Sequence, residues 1–173
     1  MKKKKKMTAD IVPENFTIGL VITDLIPVVF FGLGMILVGA RLKSVLFTAG
    51  ALVCLAAGAV KVLWKLIVVL KKKNVWPMFV QMRILMPAGF LLMIAGILIS
   101  CLSGQGRDFP AALLASAVFR LPSGIFFAAW LIGMILMTVF AVRFDSSDLL
   151  VNEIEQITNG CAQAALFFGI LFL

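Results

Sequence analysis

The chain contains no histidine. Bis-histidine haem ligation, the HExxH zinc site and imidazole acid–base catalysis are therefore outside its chemistry. Cysteine is sparse. Cys54, Cys101 and Cys161 stand far apart and form no CxxC pair. That spacing argues against a disulfide framework or a thioredoxin-like redox pair and leaves each thiol as a small apolar packing group. Charge is scarce too: Asp, Glu, Lys and Arg make up 14% of residues, against about 25% in an average soluble domain. The chain carries no Walker loop, no DDxxD, no DxxDG…AR-type acidic pair and no Ser/His dyad. The paired carboxylates Glu153/Glu155 and Asp145/Asp148 read as a solvated boundary. No metal and no cofactor is expected, and an enzyme, for instance a lipid-modifying one, is the least favoured reading.

What the chain does have is apolar surface. Of its 173 residues, 62% are hydrophobic, and the mean hydropathy is +1.12. A water-soluble domain of this length has no means of hiding that much apolar area. The expected fold class is all-α, a polytopic integral membrane protein. A span needs about 20 mostly apolar residues, and five runs qualify: 17–40, 44–70, 78–101, 123–142 and 156–173. One transmembrane domain over 17–173, preceded by a basic tail over 1–16, is the expected organisation. The connections differ in kind. Residues 41–43 form a tight turn, and 71–77 (KKKNVWP) form a charged boundary whose Pro77 suits the first turn of the next helix. The stretch 102–122 is longer, and within it 111–119 is expected as a short helix lying on the membrane surface.

Lysine and arginine set the orientation. Nine of them (2–6, 71–73 and Arg143) fall on one side and four (Arg41, Lys43, Arg107 and Arg120) on the other. Three more, Lys61, Lys65 and Arg83, lie within spans near the lysine loop. The amino terminus is therefore expected in the cytoplasm and the carboxyl terminus outside. Without the lysine tail the loops tie at four each, and the three in-span charges decide in the same direction. The first apolar run is too long for a secretory signal and Val38-Gly39-Ala40 is a poor cleavage site, so it is expected to be retained. The lysine tail sets topology and also offers anionic lipid a contact.

A charge at the bilayer centre costs about 2.5–3.5 kcal/mol on insertion scales, which makes in-span charges the first functional candidates. Asp24 lies roughly 11 Å into its span and Arg83 roughly 8 Å into its own, at about 1.5 Å per residue. Lys61 and Lys65 are four apart and share a helix face, which Cys54 and Gly58 extend inward. In the last helix Asn152, Gln156, Asn159 and Gln163 form one polar stripe, opposite an apolar one of Leu150, Ile154, Ile157, Cys161, Ala164 and Phe168. That helix is expected to start in the loop near Asp148 and run unbroken from the cytoplasm. A polar stripe of this length should not face lipid.

These side chains lead to the functional expectation. Asp24, Lys61, Lys65, Arg83, Gln156, Asn159 and Gln163 are the candidate ligand-binding residues, lining a net cationic cavity open to the cytoplasm. Gln81 is an alternative to Arg83 on the third span. Asp24 would be the counter-ion of Lys61 or Arg83. Such a cavity suits a polar or anionic small solute, held through charge-assisted hydrogen bonds. Pro27 and Pro87 would kink their helices beside the site and free the carbonyls near Thr23 and Arg83. The bland alternative is snorkelled lysines, an interfacial Arg83 and a structural Asp24 ion pair. Small residues (Gly50/Gly58, Ala88-Gly89 with Ala95-Gly96, Gly124/Ala128, Gly160/Ala164) permit close helix contact within the bundle or between copies. The leading reading is thus a small, oligomeric transporter or channel-like protein. The runner-up is a non-enzymatic subunit or sensor that docks a partner protein. The other expected partners are the lipid bilayer and a second copy of the chain; nucleic acid is not one.

Overall fold

The computed structural model describes residues 12, 16–103, 121–144 and 149–173. The lysine tail, the expected surface helix over 111–119 and the Asp145/Asp148 pair lie outside the described residues. The rest is a bundle of helices: α1 (Ile18–Leu42), α2 (Val45–Lys71), a single short turn α3 (Trp76–Val80), α4 (Met82–Leu102), α5 (Ser123–Arg143) and α6 (Leu149–Leu171). Four stretches are long and apolar enough to cross a membrane: α1, α2, α3 with α4, and most of α5. The protein is a multi-pass membrane protein. The fifth expected span forms as a 23-residue helix but is not among those four, because Asn152, Glu153, Glu155, Gln156, Asn159 and Gln163 dilute its apolar content.

Local chemistry fixes the ends. Thr17 caps α1 by accepting from the Leu20 amide at 3.1 Å. At the other end Lys43 takes a left-handed conformation (φ 51°), and the Lys43 and Ser44 amides return to the carbonyls of Ala40 and Gly39. This is the paired-carbonyl stop usually given to glycine. Ser44 then opens α2: its hydroxyl accepts from the Phe47 amide and donates to the Gly96 carbonyl, both at 3.3 Å. The turn between the first two helices is thereby two residues long and tied to α4. The third apolar run, expected as one helix, keeps helical dihedrals at Gln81 (φ −54°, ψ −34°), so α3, with Pro77 in its first turn, and α4 together make one 27-residue span.

The helices pack as an open series, α4 on α2, α2 on α1, α1 on α6 and α6 on α5. Adjacent members of that series are antiparallel except one. Arg41 at the end of α1 donates to the Ile170 carbonyl at the end of α6 at 2.8 Å, so α1 and α6 run parallel. Gly160 lies against Ile26 and Pro27, and Gly34 against Phe167 and Ile170, so α6 follows α1 from its third turn onward. Ser123 at the start of α5 donates to the Gly169 carbonyl at 2.9 Å and reverses the direction. The α2–α4 seam is the tightest. A Cβ placed on Gly89 would stand 2.5 Å from Cys54 Sγ and 2.8 Å from the Gly50 carbonyl oxygen. The buried core of Leu42, Phe47, Ala51, Cys54 and Met93 fills this seam.

The apolar stripe of α6 faces outward as expected: Leu150, Ile154, Ile157 and Phe168 are exposed, while Gln156 and Gln163 on the opposite stripe are buried.

Candidate functional site

Asp24 sits two turns inside α1, where it is 3% exposed. Its carboxylate lies 3.0 Å from the Lys65 ammonium and 3.8 Å from that of Lys61. Both lysines come from one face of α2, as their spacing of four requires. They differ in environment. The Lys65 side chain is 4% exposed, and its ammonium also lies 5.7 Å from the centre of the Phe16 ring. The Lys61 side chain is 27% exposed. At 3.8 Å it is too far from Asp24 to hydrogen-bond, so its three N–H donors stay free of that carboxylate. Glu155 of α6 also acts electrostatically on Lys65, so two carboxylates, Asp24 close by and Glu155 farther off, stand against the two lysines.

Beside this triad lies a cavity of about 180 Å³. Its polar wall is Asp24 and Lys61 on one side and Asn159 and Gln163 of α6 on the other. The Gln163 amide nitrogen donates to Asn159 Oδ1 at 3.4 Å and lies 3.6 Å from Met134 Sδ. Its amide oxygen is buried and has no hydrogen-bond partner among the described residues. The remaining wall is apolar: Pro27, Val28 and Phe31 from α1, Cys54 and Leu55 from α2, and Met82, Met86 and Phe90 from α4. Since α4 flanks α2 and α6 flanks α1, the cavity is a cleft between α4 and α6 floored by the α1–α2 pair.

Close helix contact makes that floor. Gly58, on the lysine face, admits the Val28 side chain; a Cβ there would stand 3.0 Å from both Val28 methyls. Pro27 interrupts no helix, since α1 runs through it unbroken. It is buried and forms part of the wall, whereas Pro87 is exposed and does not.

Above the cavity, toward the lysine loop, stands an aromatic cluster. Trp64 meets Phe16 edge-on at 5.7 Å and Phe79 at 4.9 Å, and Phe79 meets Trp76 at 5.2 Å. The Trp64 indole donates to Asn74 Oδ1 at 3.0 Å, which pins the loop to the end of α2. Such a belt belongs where a membrane meets water.

The chain matches no protein-family model, no curated protein and no solved structure.

Four of the seven candidate residues, Asp24, Lys61, Asn159 and Gln163, line the cavity. Lys65 stands behind them as the close partner of Asp24. Gln156 is buried two turns before Gln163 on the same face and is not part of the wall. Arg83 is not part of the wall. It is exposed, its guanidinium lies 5.4 Å from the Phe79 ring centre, and Asp24 pairs with the two lysines instead. At the start of α4 an arginine reaches the interface at little cost, so nothing drives it inward. Gln81, the alternative, turns inward: its amide nitrogen donates to the Ala57 carbonyl at 3.0 Å. The apolar wall from α4 does carry a sequence signal, since Met82, Met86 and Phe90 are spaced four apart and share one face, but a stripe of that kind reads equally well as ordinary helix packing.

Proposed function

We propose that the protein is a five-span membrane transporter or channel-like protein that handles a polar or anionic small solute through the cleft between α4 and α6. The observation that carries this reading is the Asp24–Lys61–Lys65 triad against a cavity whose far wall is the Asn159–Gln163 amide pair. Ionisable groups at such depth are costly, and a purely structural pair needs one lysine, not two. In this reading Lys61 attracts the solute, Asp24 balances or gates the charge, and the amides supply neutral hydrogen bonds. Residues 17–173 form the transmembrane domain. Its fifth span is α6, whose polar stripe is tolerated because it faces α1 and the cavity rather than lipid.

The starts of α1, α4 and α6 share the end of the bundle that carries the lysine loop, and the positive-inside bias puts that end in the cytoplasm. The carboxyl terminus is then outside, the tail lies against anionic lipid, and the bundle assembles as an oligomer through its outer faces. Flux of small anions into proteoliposomes tests the function. Wild-type protein is expected to support it, and Lys61→Ala, which leaves the Asp24–Lys65 pair in place, is expected to abolish it. Absence of flux together with robust co-purification of a partner would favour a docking subunit instead.

A further inference from the structure

We infer that the cleft takes a single-chain anionic amphiphile from the surrounding leaflet, its acidic head on Lys61 and Asn159 and its alkyl chain along Met82, Met86 and Phe90. This deepens the function proposed above and rests on it, since it names the solute class and the side from which the solute enters.

The cleft is graded along the bundle axis. Toward the lysine loop its wall carries Asp24, Lys61 and Asn159; further in it turns to Phe31, Leu55 and Phe90. Phe90 lies two turns beyond Met82 on α4, about 12 Å deeper at 1.5 Å per residue. Gln163, inward of Asn159, turns its amide nitrogen onto Asn159 and Met134 and buries its oxygen, so the polar contact on that wall falls to Asn159. Polar near the interface and apolar inward is also the order of a lipid in the same leaflet.

The opening is sideways. α4 packs on α2 and α6 on α1, and the two do not pack closely on one another. Phe90 lines the cavity yet is 43% exposed. At the lysine-loop end Phe16, the fully buried Trp64 and Phe79 stand over Lys65. In a bilayer the gap between α4 and α6 therefore meets acyl chains. Hydrocarbon alone is a costly neighbour for the charged groups at its outer end, and an amphiphile matches both ends.

Lys61 supplies the head site. At 3.8 Å from Asp24 its N–H donors stay free of that carboxylate. On the α6 wall the Asn159 oxygen accepts from Gln163, which leaves the Asn159 amide nitrogen as a donor. A carboxylate or phosphate can accept from both, and its bond to the ammonium is charge-assisted. The argument is local to these donors and requires no surplus of charge over Asp24, Lys61, Lys65 and Glu155 together.

The test is photolabelling of the full chain in nanodiscs by decanoate carrying a diazirine near its head or at its tail, mapped by peptide mass spectrometry. The head probe is expected on the Met82 and Asn159 peptides and the tail probe near Phe90. Lys61→Gln should cut both about tenfold, the worth of one hydrogen bond to a charged group. Met86→Trp, which fills the groove without touching a charge, should also displace the tail probe. Labelling of Leu131 and Ile135, which are exposed on α5, should not change in either variant. Unlabelled decanoate should compete, whereas decanol, which has no charge, and acetate, which has no chain, should not. Cleft labelling no stronger than that of α5, or indifferent to both substitutions, overturns the inference. Acetate competing as well as decanoate also overturns it, while a Lys61-dependent flux of small anions leaves the proposed function standing. An unlabelled cleft together with flux insensitive to Lys61 overturns both.

Discussion

Removing Asp24 should damage the protein far more than removing either lysine, and the asymmetry can be worked from the triad. Asp24 and Lys65 are each 3% exposed and meet at 3.0 Å. Breaking a buried pair by deleting one partner typically costs about 3–5 kcal/mol, because the survivor is left charged and uncompensated. Asp24→Asn strands two ammonium groups at once, so it should fall at the upper end. Lys65→Met strands only the carboxylate, and Lys61 at 3.8 Å already faces it, so the cost should be about half as large. Replacing both members, Asp24→Asn with Lys65→Met, removes the buried pair and leaves only Lys61, whose side chain is 27% exposed, without the carboxylate, so much of the loss should be recovered, as buried pairs exchanged for neutral groups often do. Thermal unfolding in detergent, followed by tryptophan fluorescence, reads these differences. At about 2–4 °C per kcal/mol for a chain of this size, Asp24→Asn should lower Tm by roughly 10 °C or more, and the double variant by only a few degrees. Equal losses for the two single variants, or a double variant as unstable as their sum, would refute the argument that this is one coupled buried unit.

Gly89→Ala should cost about 1–3 kcal/mol by overpacking the α2–α4 seam, whereas Gly19→Ala, where a Cβ would meet only Thr17 Oγ1 at 3.7 Å, should be neutral or slightly stabilising; both are read from the same melting curves. Gln163→Leu should leave Tm unchanged or raise it, since the amide oxygen it removes is unsatisfied, yet it should impair solute flux. Lys43→Gly should stabilise by about 1 kcal/mol, because a left-handed φ is strained for a side chain with a Cβ. A lipid-permeant maleimide should modify the exposed Cys161 and spare the buried Cys54. An impermeant one applied from outside should reach Cys101 at the far end of α4, and its failure there while reacting from the cytoplasmic face would invert the orientation.

Hydropathy made the helices legible: α1, α2 and α5 lie within a few residues of the apolar runs, and α6 is helical from Leu149, ahead of the apolar run expected over 156–173. The stripe also announced its own burial, since period and polarity together allow only one face to meet lipid. What the sequence could not carry was the pairing of faces between helices. Lys61, Lys65 and Arg83 are all cations at similar depth, and periodicity alone does not say which of them Asp24 meets. That choice follows from Gly58 accepting Val28 and Gly160 accepting Ile26, contacts that fix the rotation of α1. The partner of Gln81 was hidden for a related reason, since its side chain bonds the Ala57 carbonyl, a tertiary contact that no local pattern encodes.

The placement of α6 beside α1 has a consequence for biogenesis. The hairpin of α1 and α2 carries its own neutralising pair, so it can enter the bilayer without waiting for a later segment to match its carboxylate. The hydrophilic edge of α6 has no such internal remedy. Its low apolarity makes it a poor candidate for independent insertion, and it gains a partner only because a prepared surface on α1 precedes it from the ribosome. The polar groups that line the cavity from α6 are therefore also the ones that make the bundle's completion depend on the order of synthesis.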